Sequence, residues 1–193
     1  METHEIAESA AVSAWLSAAT VHPAASADLW QENPHIPRRL LCGVTFDIVL
    51  ADRQLIETAY QLLAQYEQPL GPALTFVNLR SAAVLVPPGT TVRWNGLVAA
   101  SQWSERLPRP ACLGTGHAIL VPALAPQPTA GHVHWLISPD NEQGIGGAPL
   151  LTSPVPLARC LAEARALHTA ALRSPLSRVV SVVKAVLPSS ERA

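Results

Sequence analysis

The chain has 193 residues, of which 49% are hydrophobic and 14% charged, enough apolar material for one sizeable core, or a core plus a small helical appendage. Its formal net charge is −1 and its pI about 6.6. No global basic field therefore exists to draw it onto nucleic acid or an anionic membrane, and any such binding has to be local.

The N-terminus carries acids where a signal peptide needs bases. No apolar run approaches the roughly 20 residues of a membrane span, so a cytoplasmic protein with no membrane association is expected. Residues 5–19 are Ala-rich, with Ile6, Val12, Trp15 and Leu16 near one stripe, and predict an amphipathic helix. Residues 21–26 read as a loop broken by Pro23, and 28–32 as a short helix that stops before Asn33-Pro34. Residues 40–50 are β-branched and aliphatic and predict one buried strand. Residues 53–68 repeat at helical period through Leu55, Ile56, Ala59, Leu62, Leu63 and Tyr66. Strands are predicted at 73–78 and 82–86, forming a hairpin closed by Pro87-Pro88-Gly89.

Residues 94–103 read as helical. Gly114-Thr115-Gly116 forms a turn before a strand at 117–121, and 131–137 alternates as a further strand. The Gly-rich stretch 138–149 is a loop, and 157–172 and 175–187 read as two helices, with Pro175 in the first turn of the second. Cys42, Cys112 and Cys160 stand far apart with no CxxC pair, so reduced, mostly buried thiols are expected. Twelve arginines and a single lysine, Lys184, against abundant Ala, Leu, Val and Pro, are the usage of a high-GC bacterial genome. The pattern predicts an α/β (α+β) fold with a mixed or antiparallel sheet and flanking helices. It divides into an N-terminal helix and loop (1–27), a core (28–155) and C-terminal helices (156–193).

Four local stretches stand in a fixed order: Trp30 to Pro34 (WQENP), Gly43 to Asp52 (GVTFDIVLAD), the block from Pro69 to Gly89, and Gly114 to Pro122 (GTGHAILVP), followed by Trp135. Together they resemble the short actinobacterial proteins related to the N-terminal domain of bifunctional DNA primase/polymerases, or prim-pol. The resemblance implies a prim-pol-like core in which paired acids on the first strand and a later acid hold divalent metal, while a histidine on a following strand contacts the incoming nucleotide. The metal would bridge phosphates and attacking hydroxyl in an in-line displacement. In this chain Leu50 and Asp52 fall where the paired acids belong, and Ser81 where the histidine belongs. The segment before Gly114 offers Arg109 and Cys112 but no acid.

The resemblance thus implies an inactive relative, with Asp47, Asp52 and Ser81 as remnants. Asp47 and Asp52 are five apart and point to opposite faces of a strand, so they cannot share one cation. Asp52 is read as the N-cap of the following helix, and Asp47 as a solvent-facing residue or the partner of a nearby arginine. His117, His132 and His134, with Cys112 near in sequence, are the one zinc-like grouping, set against strand-surface or hydrogen-bonded histidines as the default. Neither Ser81 nor Cys112 has the company of a nucleophile.

From Arg159 onward six basic residues face two acids, a net charge of +4 in a chain of total charge −1. Arg165, Arg173 and Arg178 are accordingly the candidate partner-binding side chains. The expected function is a regulatory or interaction module without cofactor, whose partner is protein, nucleic acid or nucleotide. Two alternatives are an active primase/polymerase using Mg²⁺ with Asp47, Asp52 and acids such as Glu57 or Asp140, and a small-molecule binding protein reusing the nucleotide cleft.

Overall fold

A computed structural model of the protein describes residues 2–76, 80–104, 108–124, 132–139 and 148–173. The helix expected at 175–187, Asp140, Arg178 and most of the loop at 138–149 lie outside the described residues. In chain order the elements are α1 (Glu2–Ser17), α2 (Pro23–Glu32), β1 (Arg38–Leu41), β2 (Asp47–Asp52), α3 (Arg53–Gln65) and β3 (Ala73–Phe76), followed by β4 (Ser81–Val86), α4 (Thr90–Ala100), β5 (Ala111–Leu113), β6 (Ala118–Val121), β7 (Val133–Ile137) and α5 (Pro154–Arg173).

The main sheet runs β5-β2-β4-β3-β7, and every neighbouring pair is antiparallel. A second pair, β1 with β6, is also antiparallel. The six consecutive elements from β2 to β5 follow the order βαββαβ, with their strands arranged fourth, first, third, second across the sheet. This is the split βαβ arrangement, in which each helical crossover skips one strand position. The α+β class expected from the sequence is what the chain adopts.

Strand alternation divides the sheet's side chains between two cores. Val49 lies opposite Val84 and Cys112 and faces α3, α4 and α5, together with Ala73, Ala82 and Val86. Ile48 lies opposite Leu85 and Leu113 and faces α1, α2 and the β1–β6 pair, together with Leu74, Ala83 and Val133. On the first side α3 buries Leu55, Ile56, Ala59, Tyr60, Leu62 and Leu63. Against them α5 packs Leu157, Ala158, Leu161 and Ala164. The Tyr60 hydroxyl donates to the Gly71 carbonyl at 3.0 Å and lies 3.1 Å from Thr152 Oγ1, which itself accepts from Gly71 N at 2.9 Å. On α4, Trp94 is buried and its indole N–H donates to the Pro110 carbonyl at 2.8 Å. On the second side Val12 and Leu16 of α1 are buried, and Trp15 tilts against Phe46 with ring centroids 5.6 Å apart.

The helix expected at 94–103 is α4, which starts at Thr90 and ends at Ala100, and the edge strand β5 was not anticipated; two further boundaries differ for identifiable reasons. Pro23 does not break the chain; it opens α2 in its first turn, where a missing N–H leaves no bond unmade. The apolar run 40–50 is two strands in different sheets, separated by a turn at Gly43, whose φ is +88°. Gly43 N donates to the Phe46 carbonyl at 2.7 Å, and a Cβ at Gly43 would lie 2.6 Å from Thr115 N.

Gly43→Ala is therefore expected to lose the roughly 1–2 kcal/mol of left-handed backbone strain plus the cost of the Thr115 backbone contact. Urea unfolding checks this, and an unchanged midpoint would contradict the turn geometry.

Candidate functional site

Asp47, the first residue of β2, is buried rather than solvent-facing, and no arginine pairs with it among the described residues. Its Oδ2 accepts from the backbone N–H of Thr91 at 2.8 Å and from the Thr91 hydroxyl at 2.7 Å. Thr91 is in the first turn of α4, whose own N-cap is Gly89, a residue with no side chain to offer. The carboxyl group supplies from across the sheet the acceptor that the local sequence lacks, at the helix end where negative charge is favoured. Asp47 Oδ1 is enclosed without a partner. Gly114 leaves room for this contact, because a Cβ there would stand 3.1 Å from Asp47 Oδ1 and run into Thr91.

Asp52 has the role expected of it. Exposed at the end of β2, it caps α3 by accepting from Gln54 N at 2.9 Å. Ser81 stands directly opposite Asp52 in the β2–β4 ladder. Leu50, on the same strand face as Asp52, is half-buried and packs on the second core. Glu57 is drawn to Arg53, 2.7 Å away on the next turn. The acids of this region are thus engaged separately, Asp47 and Asp52 at two helix starts and Glu57 with a neighbouring arginine.

The histidines are placed on separate elements. His117 ends the turn before β6, its Nδ1 3.3 Å from the Gly114 carbonyl, while His132 precedes β7 and His134 lies within it, opposite Thr75. Among the described residues no three His, Cys, Asp or Glu side chains come together as a metal-holding group. Nor is any described helix long and apolar enough to cross a membrane. Of the C-terminal arginines, Arg165 is half-buried with its Nε enclosed and unpartnered, Arg173 is the last residue of α5, and Arg178 lies outside the described residues. Among the described side chains of α5 the exposed charges are Arg159 and Glu163, which border two surface grooves of about 380 and 410 Å³. Tyr66 lines the first groove and donates to the Glu163 carboxylate at 2.9 Å, which holds its phenol above the usual range.

All three cysteines are free thiols. Burial pushes Cys42 up to about 11, with the Asp47 carboxylate and Cys112 adding to the rise. Burial likewise takes Cys112 to about 11, its hydrogen bond with Thr91 (3.6 Å) pulling the other way and Asp47 adding. They are poor nucleophiles at neutral pH.

One feature escaped the sequence reading. Thr20, His22, Ser26, Trp30, Arg38 and Arg39 line a cavity of about 270 Å³ between the start of α2 and β1. The adjacent arginines after Pro37 were its one visible signal.

No protein-family model, no curated protein and no solved structure matches this chain.

Two predictions follow from the buried acid and its thiol neighbours. Asp47→Ala strands the Thr91 N–H and hydroxyl and is expected to cost about 2–4 kcal/mol, against about 1 kcal/mol for Asp52→Ala at its exposed cap. Denaturant titration of the two variants gives the ranking, and equal losses would contradict it. For pH, a thiol of ordinary value 9.0 raised to about 11 keeps its proton in the folded state while the unfolded state releases it. Stability is therefore full below pH 9 and falls as pH rises towards 11. Unfolding measured across that window should show a shallower fall in the Cys42→Ala, Cys112→Ala double variant.

Proposed function

We propose that this protein is a prim-pol-like module without nucleotidyl transfer, acting in regulation or assembly by binding a protein or nucleic-acid partner. The observation that carries the reading is the commitment of both β2 acids to helix starts: Asp47 holds α4 from one face and Asp52 caps α3 at the strand's end. In-line phosphoryl chemistry needs carboxylates converging on shared metal, and these two diverge. Leu50 strengthens the reading, because its half-buried side chain fills the face on which a second acid would have to stand beside Asp52. Asp52 stands opposite Ser81 in the β2–β4 ladder, and Ser81 is the position at which the prim-pol resemblance implies a nucleotide-contacting histidine, here replaced by a hydroxyl.

The rival reading, a working polymerase, would have to draw on Glu57, which is engaged by Arg53, and on Asp47, which is enclosed. Reuse of the old cleft for a small molecule finds no support in the three cavities described above, none of which is lined by Asp47, Asp52 or Ser81. For partner capture, half-buried Arg165 is a poor probe, because a charge reversal there would perturb packing. Arg159, exposed on α5, is the better one.

Purified protein is expected to incorporate no nucleotide on a primed or unprimed template with Mg²⁺ or Mn²⁺. Template-dependent incorporation that Asp52→Asn abolishes would overturn the proposal.

A further inference from the structure

We propose that the cavity between the start of α2 and β1 is a binding site for a phosphate group, carried by a small phosphomonoester or by the phosphorylated end of a nucleic acid. The lining is chemically one-sided. Arg38 and His22 bring a guanidinium and an imidazole, Arg39 follows on the opposite, exposed face of β1, Thr20 and Ser26 bring hydroxyls, and none of the described lining residues is a carboxylate. That set is suited to a tetrahedral oxyanion, since arginine presents N–H groups in a fixed fork and no carboxylate opposes the charge.

Of the lining cations, Arg38 is held in place. The Arg38 side chain is anchored by an Nη2 bond to the Leu29 carbonyl at 2.9 Å, while its Nε is enclosed with no acceptor. The enclosed Nε does not itself reach the cavity, which leaves the terminal nitrogens of Arg38 as the groups able to meet an anion there. The Thr20 hydroxyl donates to the Ser17 carbonyl at 2.7 Å and lies 2.9 Å from the Ser26 hydroxyl, so with both bonds made the two hydroxyl protons are used, and an anion would have to draw Ser26 away from Thr20. His22, the N-cap residue of the ten-residue α2, makes no side-chain cap bond. The first-turn N–H groups of α2 thus add their dipole to the same place without a local acceptor to quench it. Buried Trp30 and Leu40 give the cavity an apolar wall.

At about 270 Å³ and open to solvent, the space holds a phosphate and the first atoms of its ester, with the rest of the ligand outside. The site lies apart from β2 and β4, so it stands or falls independently of the loss of polymerase chemistry.

Titration calorimetry of the full chain at constant ionic strength tests the assignment, with inorganic phosphate, glycerol phosphate, and a short oligonucleotide bearing either a 5′-phosphate or a 5′-hydroxyl. One saturable site for inorganic phosphate, weakened about tenfold or more by Arg38→Gln and measurably by His22→Gln, and unchanged by the exposed control Arg53→Gln, is the expected result. Preference for the 5′-phosphorylated over the 5′-hydroxyl oligonucleotide, beyond the affinity of glycerol phosphate, assigns the group to a nucleic-acid end; the reverse assigns it to a small metabolite. Should Arg38→Gln fail to fold, Arg38→Lys and His22→Gln decide, since His22 is exposed and outside both cores. Absence of saturable phosphate binding, or binding indifferent to both His22 and Arg38 variants, overturns the proposal.

Discussion

A sheet that is apolar on both faces has to be covered twice, and this constraint arranges everything else in the protein. Val49, Val84 and Val86 on one side and Ile48, Leu74 and Leu85 on the other are all buried. The βαββαβ unit supplies only one of the two covers, because both of its crossover helices lie on the same side. The opposite face, which such a unit by itself would leave wet, is closed by α1, α2 and the β1–β6 pair. The elements outside the unit are thus structural necessities as well as carriers of function. Each large side chain sealed in this way contributes roughly 1.5–3 kcal/mol.

Closing the second face also determines what the strand acids are able to do. A carboxylate on β2 either lies among apolar neighbours, where it needs donors, or sits at the strand's end, where water and helix termini reach it. Asp47 meets the first condition through Thr91 and Asp52 the second through Gln54. Polar chemistry is displaced to the seams between layers. The cationic cavity opens at the seam between α2 and β1, and the α5 grooves open at the outer surface of the helical layer. The candidate sites follow from the layering.

Much of the architecture was legible in the sequence, because periodicity survives wherever an element buries one face. The helix α3, the β3–β4 hairpin, the turn at Gly114 and the course of α5 through Leu157 and Leu161 all follow from spacing alone. The break at Gly43 was hidden because residues 40–50 are almost uniformly apolar, and a single glycine in such a run does not announce a positive φ. Asp47 was misplaced for a different reason. The donors that make its burial tolerable lie 44 residues further on, and nothing local to GVTFDIVLAD points to them. The cavity at α2 was illegible as a site because its lining comes from a loop, a helix and a strand, and only the adjacent Arg38 and Arg39 are contiguous. Asp52 was read correctly because an N-cap is decided by its immediate neighbours.

The Tyr60, Gly71 and Thr152 network ties the first core to a residue from the far end of the described chain, with Thr152 pairing across 81 and 92 positions. Immediately beyond it, α5 lays Leu157 and Leu161 over α3. During synthesis, therefore, the apolar face of α3 emerges from the ribosome roughly a hundred residues before the helix that will cover it. At elongation rates of about 5–20 residues per second, that face stays open for several seconds, an interval in which a holding chaperone or a partner has access to a surface the finished protein never displays.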